Sequence, residues 1–454
     1  MKNVIGIMRE GITKKGEKRV AVTPGYAKHI LNWGHNLIVQ SAVHPETGKT
    51  KRAFTDELYK QVGAKISEDL AVADIIFGLK EIDIDRILKD KAYIFFSHTH
   101  KGQTKNQKML GALVENKSTV IDYELISNKK NIRLLTAFTY NAGYAGMVDT
   151  LWTLGKRLAL NKLKNPFENL NQAIEEEHLD KAKKSFTKAA DEIEINGTPE
   201  SLSPIIVCFL GKGKTAQGTR ELFNILPHEE IGINQLEEVY KNGQRKKLYA
   251  LHIDIEEIYR LKNDSKFSPE EYNKLSVRDK WQVYFDHPDY FESNLDKVLP
   301  HITVLMNCII WSPKFPRTVT KELMKTIYAE GKALKVIGDI TCDPNGSIEF
   351  SKETWIDNPV YIYNPLTQKN KDGFEGDGIA VMAVTNLPCE FSFDASQQFS
   401  DDLSPFLEDI VKANYEGTLA EAQLPDEIKR AVIIWQGRFT ENFAYMNSFL
   451  ETEI

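Results

Sequence analysis

Cysteine is scarce. Cys208, Cys308, Cys342 and Cys389 are spread along 454 residues without a C-x-x-C pair. Each lies in or beside an apolar run, where free cysteine packs as a small hydrophobe. That argues against a disulfide scaffold or a metal site and for a cytoplasmic protein. Long apolar runs are missing too. No stretch reaches the roughly 20 residues that span a bilayer, and the opening "MKNVIGIMREGITKKG" lacks the core of a secretory signal. Excess positive charge is also absent. A formal net charge of -6 gives no global pull toward nucleic acid or an anionic membrane. Repeats and low-complexity segments are not found.

What remains is ordinary globular material, 42% hydrophobic and 27% charged, at a length that suits two or three domains. In the first 140 residues, "VIGIM" (4–8), "NLIVQSA" (36–42), "ADIIFGL" (73–79), "AYIFFS" (92–97), "TVIDYE" (119–124) and "IRLLTAF" (132–138) read as strands. Their continuous hydrophobicity suits a parallel sheet covered on both faces. "TPGYAKHILNWG" (23–34) reads as a helix, with Thr23 as N-cap, Pro24 in the first turn and Gly34 at the end. "AGYAGMVDTLWTLGKRLAL" (142–160) is a long apolar helix, and residues 163–200 read as a solvated helical connector.

A second α/β unit begins at "PIIVCFLGKGKTAQGTRELFNIL" (204–226) and continues through "KLYALHI" (247–253), "ITVLMNCIIW" (302–311), "ALKVIGDIT" (333–341) and "VYIYNP" (360–365). The tail, including "DEIKRAVIIWQGRFTENFAYMNSFLE", reads as helical. The expected fold class is α/β: two Rossmann-like doubly wound domains with an interdomain cleft. The expected division is a substrate domain over 1–140, completed by C-terminal helices from about 385 to 454. A linking helix and connector cover 141–200. A dinucleotide-binding domain covers 201–384, with an insertion at about 256–298.

Doubly wound sheets bind ligands outside the carboxyl ends of their strands. Arg9 and Glu10 follow the first strand, Lys80 follows "IIFGL", His98 and Lys101 follow "YIFFS", and Glu124 closes another strand. Singly, each reads as a solvated or structural group. Together they describe a charged crevice in which crowded cations lower one another's proton affinity, so that a lysine can act as a base. His98 and His100 stand at i, i+2, but no third metal ligand accompanies them.

"FLGKGKTAQG" runs from a strand into Gly211-Lys212-Gly213 and a helix containing Gly218. The third glycine comes late for a dinucleotide fingerprint, yet a tight turn and a helix N-terminus aimed at a pyrophosphate remain. A P-loop would need glycine at position 208, which is Cys208. No acidic residue is legible at a second strand end. Lys212 and Lys214 suit a 2′-phosphate and tilt the choice of cofactor toward NADP over NAD.

Over residues 3 to about 448 the chain resembles the lysine–ketoglutarate reductase/lysine-forming saccharopine dehydrogenase family, within the alanine dehydrogenase/transhydrogenase N-terminal superfamily. The likeness rests on "EKRVAVTP", "GLKE", "FFSHTHKGQ", "IDYE", "AGYAGMVD", "GKGKTAQGTRELFN", "MNCIIW", "GDITCDPNGSIEF" and "EGDGIAVMAVTNLP" taken in order. The resemblance implies an NAD(P)-dependent oxidoreductase that interconverts lysine plus 2-oxoglutarate and saccharopine, with Lys80 and His98 catalytic. It implies Arg19, Lys101, Gln103, Arg133 and Phe138 around substrate. It puts Gly211, Gly213, Lys214, Thr215, Cys308, Ile309, Ile310, Asp339, Thr385 and Asn386 toward the cofactor.

The chain departs from the family at Thr385, where the family has aspartate, and at Thr139, where it has glycine. Thr215 replaces the fungal cysteine, so no disulfide is expected there. The resemblance also implies a stand-alone module, acting on small molecules and compatible with homo-oligomer formation. The alternatives are reductive amination of another 2-oxoacid, and a nucleotide-binding sensor with impaired catalysis.

Overall fold

In the computed structural model, residues 2–135, 138–331 and 334–450 are described. The chain divides into two compact units, residues 1–138 with 392–454, and residues 139–391.

The first unit is built on an eight-stranded sheet. Its site-bearing strands are β1 (Val4–Ile7), β2 (Ile75–Phe77), β3 (Ala92–Phe95) and β4 (Thr119–Asp122). The sheet order is Arg438–Phe439, Val432–Trp435, β4, β3, β2, β1, Asn36–Val39, Lys65–Ile66. From β4 to Lys65–Ile66 all pairs are parallel, so the carboxyl ends share one edge. Alternation along each strand feeds two cores. Ala92 and Ile94 enter one, whereas Tyr93 and Phe95 enter the other. Burying Ile94 or Phe95 is worth about 1.5–3 kcal/mol relative to exposure.

The tail corrects the helical expectation. Val432–Trp435 and Arg438–Phe439 form an antiparallel hairpin on the edge of β4. Its turn has Gln436 at φ 48° and Gly437 at φ 79°, the left-handed pair that a two-residue hairpin needs. The β-branched run Val432-Ile433-Ile434 favours a strand over a helix. The strand expected over 132–138 is not found among its described residues. Arg133 makes only an isolated bridge to Ser127, and residues 136 and 137 lie outside the described set.

The second unit opens with helix α1 (Thr139–Leu160), followed later by β5 (Ile206–Leu210), α2 (Lys214–Phe223), β6 (Leu248–Ile253), β7 (Val304–Asn307), β8 (Val336–Asp339) and β9 (Ile379–Met382). Its sheet order is Lys369–Asp372, Val360–Asn364, β9, β8, β7, β5, β6, His228–Ile231. The first two strands are antiparallel additions to a parallel sheet. The helix Leu179–Asn196 is not simply solvated, because Ala182, Phe186, Ala189 and Ile193 are buried in this unit's core.

Gly218, late for a phosphate turn, has a packing role. A Cβ there would stand 2.4 Å from Tyr140 O, and one on Gly143 would stand 2.2 Å from Thr215 O. These reciprocal glycines let α1 and α2 touch backbone to backbone.

Candidate active site

At the carboxyl edge of the first unit's sheet, Lys80, Phe96, His98, Lys101, Gln103, Glu124, Arg133 and Phe138 line a cavity of about 190 Å³. The parallel order of β2, β3 and β4 explains the convergence, since each strand ends beside the next.

His98 sits at φ 49°, and its Nδ1 lies 2.9 Å from Glu81 Oε1. Glu81 also receives Lys14 Nζ at 2.6 Å. Burial pushes the Glu81 carboxyl upward, but His98 and Lys14 overcome it and hold the group well below the ordinary range. An ionised carboxylate can only accept, so Nδ1 carries the ring proton and Nε2 is the nitrogen left for substrate chemistry.

Lys101 Nζ and Arg133 Nη2 converge on Glu124 Oε1, at 3.0 and 2.7 Å. Burial opposes ionisation of Glu124, but Lys101 and Arg133 more than compensate and its carboxyl lies below the usual value. The two cations that the resemblance assigns to substrate carboxylates are thus already gathered on one carboxylate. Gln103 Oε1 is buried without a protein hydrogen bond.

Arg19 is not among the cavity-lining residues. Its guanidinium makes a bidentate pair with Glu17, at 2.8 and 2.6 Å, and lies 4.2 Å from the Phe138 ring centre. Burial opposes ionisation of Glu17, yet Arg19, assisted by Lys80, brings its carboxyl down to about 2. Phe138 stacks on Phe399 and forms a cavity wall with Arg19 behind it.

In the second unit β5 runs into Gly211 at φ 91°, and a Cβ there would lie 2.9 Å from Ile309 Cγ2. Gly213 is the N-cap of α2 and faces open space where a Cβ would stand. No side chain caps α2 and no acidic residue occupies its first turn. Bare helical N–H groups beside open space fit an anion such as a pyrophosphate. Lys214 is exposed and Thr215 half-buried.

Parallel to β5, β6 leads into Asp254, whose carboxylate stands 3.6 Å from Lys212 Nζ, with Glu256 at 3.9 Å. Cys308 and Ile309 are buried at the end of β7, whereas Ile310 is 92% exposed. Burial raises the Cys308 thiol to about 12, which makes it an inert packing group. Asp339 is enclosed. Asn307 donates to it at 2.7 Å, Ser351 Oγ donates to its other oxygen, and burial raises its carboxyl. Its contribution is therefore to order the ends of β7 and β8. Thr385 is exposed, and its N–H donates to Thr354 O at 3.2 Å. Asn386 opens the next turn, where its carbonyl accepts from Cys389 N at 2.8 Å.

Family models match both ends of the chain: the alanine dehydrogenase/PNT N-terminal domain over residues 6–145, and the alanine dehydrogenase/PNT C-terminal domain over residues 290–442. The chain belongs to the alanine dehydrogenase/PNT family.

It is 34% identical over 462 residues to an alpha-aminoadipic semialdehyde synthase of Arabidopsis thaliana, covering 98% of this chain and 41% of that protein. The chain thus spans less than half the length of that relative. It is 24% identical over 419 residues to a saccharopine dehydrogenase [NAD(+), L-lysine-forming] of Emericella nidulans, covering 87% and 89% of the two chains. A solved L-alanine dehydrogenase superposes with a TM-score of 0.59 at 15% identity, covering 98% and 99%, and shares the fold. Among the described residues no helix is long and apolar enough to cross a membrane.

In this member of the alanine dehydrogenase/PNT family, sequence reasoning passed over Glu17, Glu81 and Asp254. Glu81 follows Lys80 directly in "GLKE", and Glu17 precedes Arg19 by two residues. Those adjacencies were the available signal. Asp254 stands at a strand end, but the strand is the third of its unit in chain order and only folding brings it beside β5.

Proposed function

We propose that the protein interconverts lysine plus 2-oxoglutarate and saccharopine, with a nicotinamide dinucleotide as the hydride carrier. The observation that carries this reading is the cavity in which Lys80 and His98 face Lys101 and Arg133. A base, an oriented acid and paired carboxylate-binding cations are what imine formation between an amine and a dicarboxylic oxoacid needs.

Lys80 takes a proton from the ε-ammonium of lysine, so the amine attacks the keto carbon and forms a carbinolamine. His98, oriented through Nδ1–H by Glu81 and carrying a second proton on Nε2, delivers that second proton to the leaving hydroxyl, and water departs as the protonated imine forms. When bound, the nicotinamide supplies the hydride that reduces the imine carbon to the secondary amine. Lys101 and Arg133 exchange Glu124 for a substrate carboxylate, and Arg133 is able to bind it in bidentate fashion. Arg19, stacked behind Phe138, holds that wall in place.

Gly211, Gly213 and the open N-terminus of α2 support dinucleotide binding in the second unit. The neighbourhood of Lys212 supports NAD over the NADP favoured by the lysines alone. Asp254 and Glu256 compensate that lysine's charge and repel a 2′-phosphate, while Asp254 suits ribose hydroxyls. The four buried, unpaired cysteines support a cytoplasmic place of action.

The test is a panel of amines and 2-oxoacids with NADH and NADPH. The expected result is NADH oxidation with lysine plus 2-oxoglutarate. Turnover with ammonia and another oxoacid instead supports amination of the alanine dehydrogenase type. Nucleotide binding with no turnover anywhere supports the sensor reading.

A further inference from the structure

One buried carboxylate near Lys80 does not line the cavity. Glu10 follows β1 and is 6% exposed. Its Oε1 accepts the backbone N–H of Leu79 at 2.8 Å, and its Oε2 accepts that of Lys80 at 3.0 Å. Two bonds from one carboxylate to consecutive amides fix the peptide where the chain leaves β2. They thereby set the direction in which the Lys80 side chain departs. This carboxylate spends both oxygens on a single peptide step.

We propose that Glu10 is a positioning residue for Lys80, clamping the Leu79–Lys80 peptide so that the side-chain amine is held at the cavity. The proposal rests on the reading of Lys80 as the proton acceptor in imine formation. The charged groups acting on Glu10 are Glu17 from the following loop and Arg86 from the segment after β2, with the Tyr123 hydroxyl beside it, while the Lys80 side chain acts on Glu17. Burial, then Glu17, pushes the Glu10 carboxyl up to about 7, against the two amides and Arg86. Ionised Glu10 accepts both bonds. Protonated Glu10 turns one oxygen into a donor that faces an N–H, and half of the clamp is lost. The rate therefore carries a component that falls as pH drops through about 7.

The experiment compares Glu10→Gln and Glu10→Asp with the full-length wild-type chain. It follows kcat and KM across pH, nicotinamide affinity, and hydrogen exchange of the peptide containing Leu79 and Lys80. Glu10→Gln is expected to lower kcat roughly tenfold to a hundredfold, as a small misplacement of a reacting group does. KM and nicotinamide affinity stay unchanged, the component near pH 7 disappears, and exchange at Leu79–Lys80 accelerates. Glu10→Asp keeps the charge and recovers part of the rate and the pH component. If Glu10→Gln does not fold, Glu10→Asp carries the test through a partial loss of rate and faster exchange at the same peptide.

Unchanged exchange in these variants overturns the clamp even if the wild type makes saccharopine. Wild-type kcat with a wild-type pH profile in Glu10→Gln also overturns it. Accelerated exchange in a protein that turns over no lysine keeps the clamp and rejects the reaction.

Discussion

His98 Nδ1 stands 2.9 Å from Glu81 Oε1, and Lys14 holds the same carboxylate from its other oxygen at 2.6 Å. The histidine is therefore fixed in tautomer and ring orientation before any substrate arrives. Replacing it, His98→Gln, is expected to slow turnover by about 100- to 10,000-fold, the range of a lost general acid or base. Glu81→Gln leaves the ring present but its tautomer unspecified. Its loss in kcat should be real but smaller than that of His98→Gln. Steady-state kinetics on both variants, with nicotinamide affinity as the control, checks the order.

Glu124 gathers Lys101 and Arg133 onto one oxygen. A dicarboxylate substrate has to displace that contact. Arg133→Ala should raise KM for 2-oxoglutarate roughly tenfold to a hundredfold, the usual cost of a hydrogen bond to a charged group. Glu124→Gln removes the competing charge and should lower that KM. The two variants moving KM in the same direction would count against the exchange.

In the second unit, Asp254 and Glu256 lie 3.6 and 3.9 Å from Lys212 Nζ. Glu256→Gln, alone and combined with Asp254→Asn, should shift selectivity from NADH toward NADPH by about tenfold or more, because a buried 2′-phosphate no longer meets a like charge. The ratio of kcat/KM for the two cofactors measures it.

Asp149 on α1 and Glu390 form a buried carboxyl pair. Asp149 Oδ1 accepts from Ala173 N and Glu390 Oε2 from Ile174 N, while Asp149 Oδ2 and Glu390 Oε1 have no other hydrogen-bond partner. Burial, followed by the charge of the other, raises Glu390. Burial raises Asp149 to about 7. The pair shares a proton that the unfolded chain releases near pH 4. The stabilisation is thus complete below that pH and lost as pH rises through about 7. Tm should fall from about pH 5 to about pH 8 on this account. Asp149→Asn keeps a hydrogen at every pH and should flatten the slope. Differential scanning calorimetry across that range tests it.

The strand ends were legible because β1, β2 and β3 are continuous apolar runs that can only be buried on both faces, and a parallel sheet puts Lys80 and His98 at one edge. Their partners were less so. Glu17 meets Arg19 two residues along the chain, whereas only strand order sets Glu81 against His98, and Glu124, legible as a strand end, against the Lys101–Arg133 pair. Asp339 came only through the family resemblance, and its enclosure by Asn307 and Ser351 depends on contacts across β7 and a distant loop. The tail was misread because "AVIIWQGRF" lies between helical segments, and its hairpin depends on pairing with β4, which is far away in the chain.

The most direct test of the central claim is the rate of saccharopine formation from lysine and 2-oxoglutarate by the wild type and by Lys80→Met, each shown to bind NADH equally. The expected result is product from the wild type and a loss of about 100-fold or more in the variant, with KM little changed. Equal rates from the two proteins, or no saccharopine from a wild type that binds NADH, would contradict it.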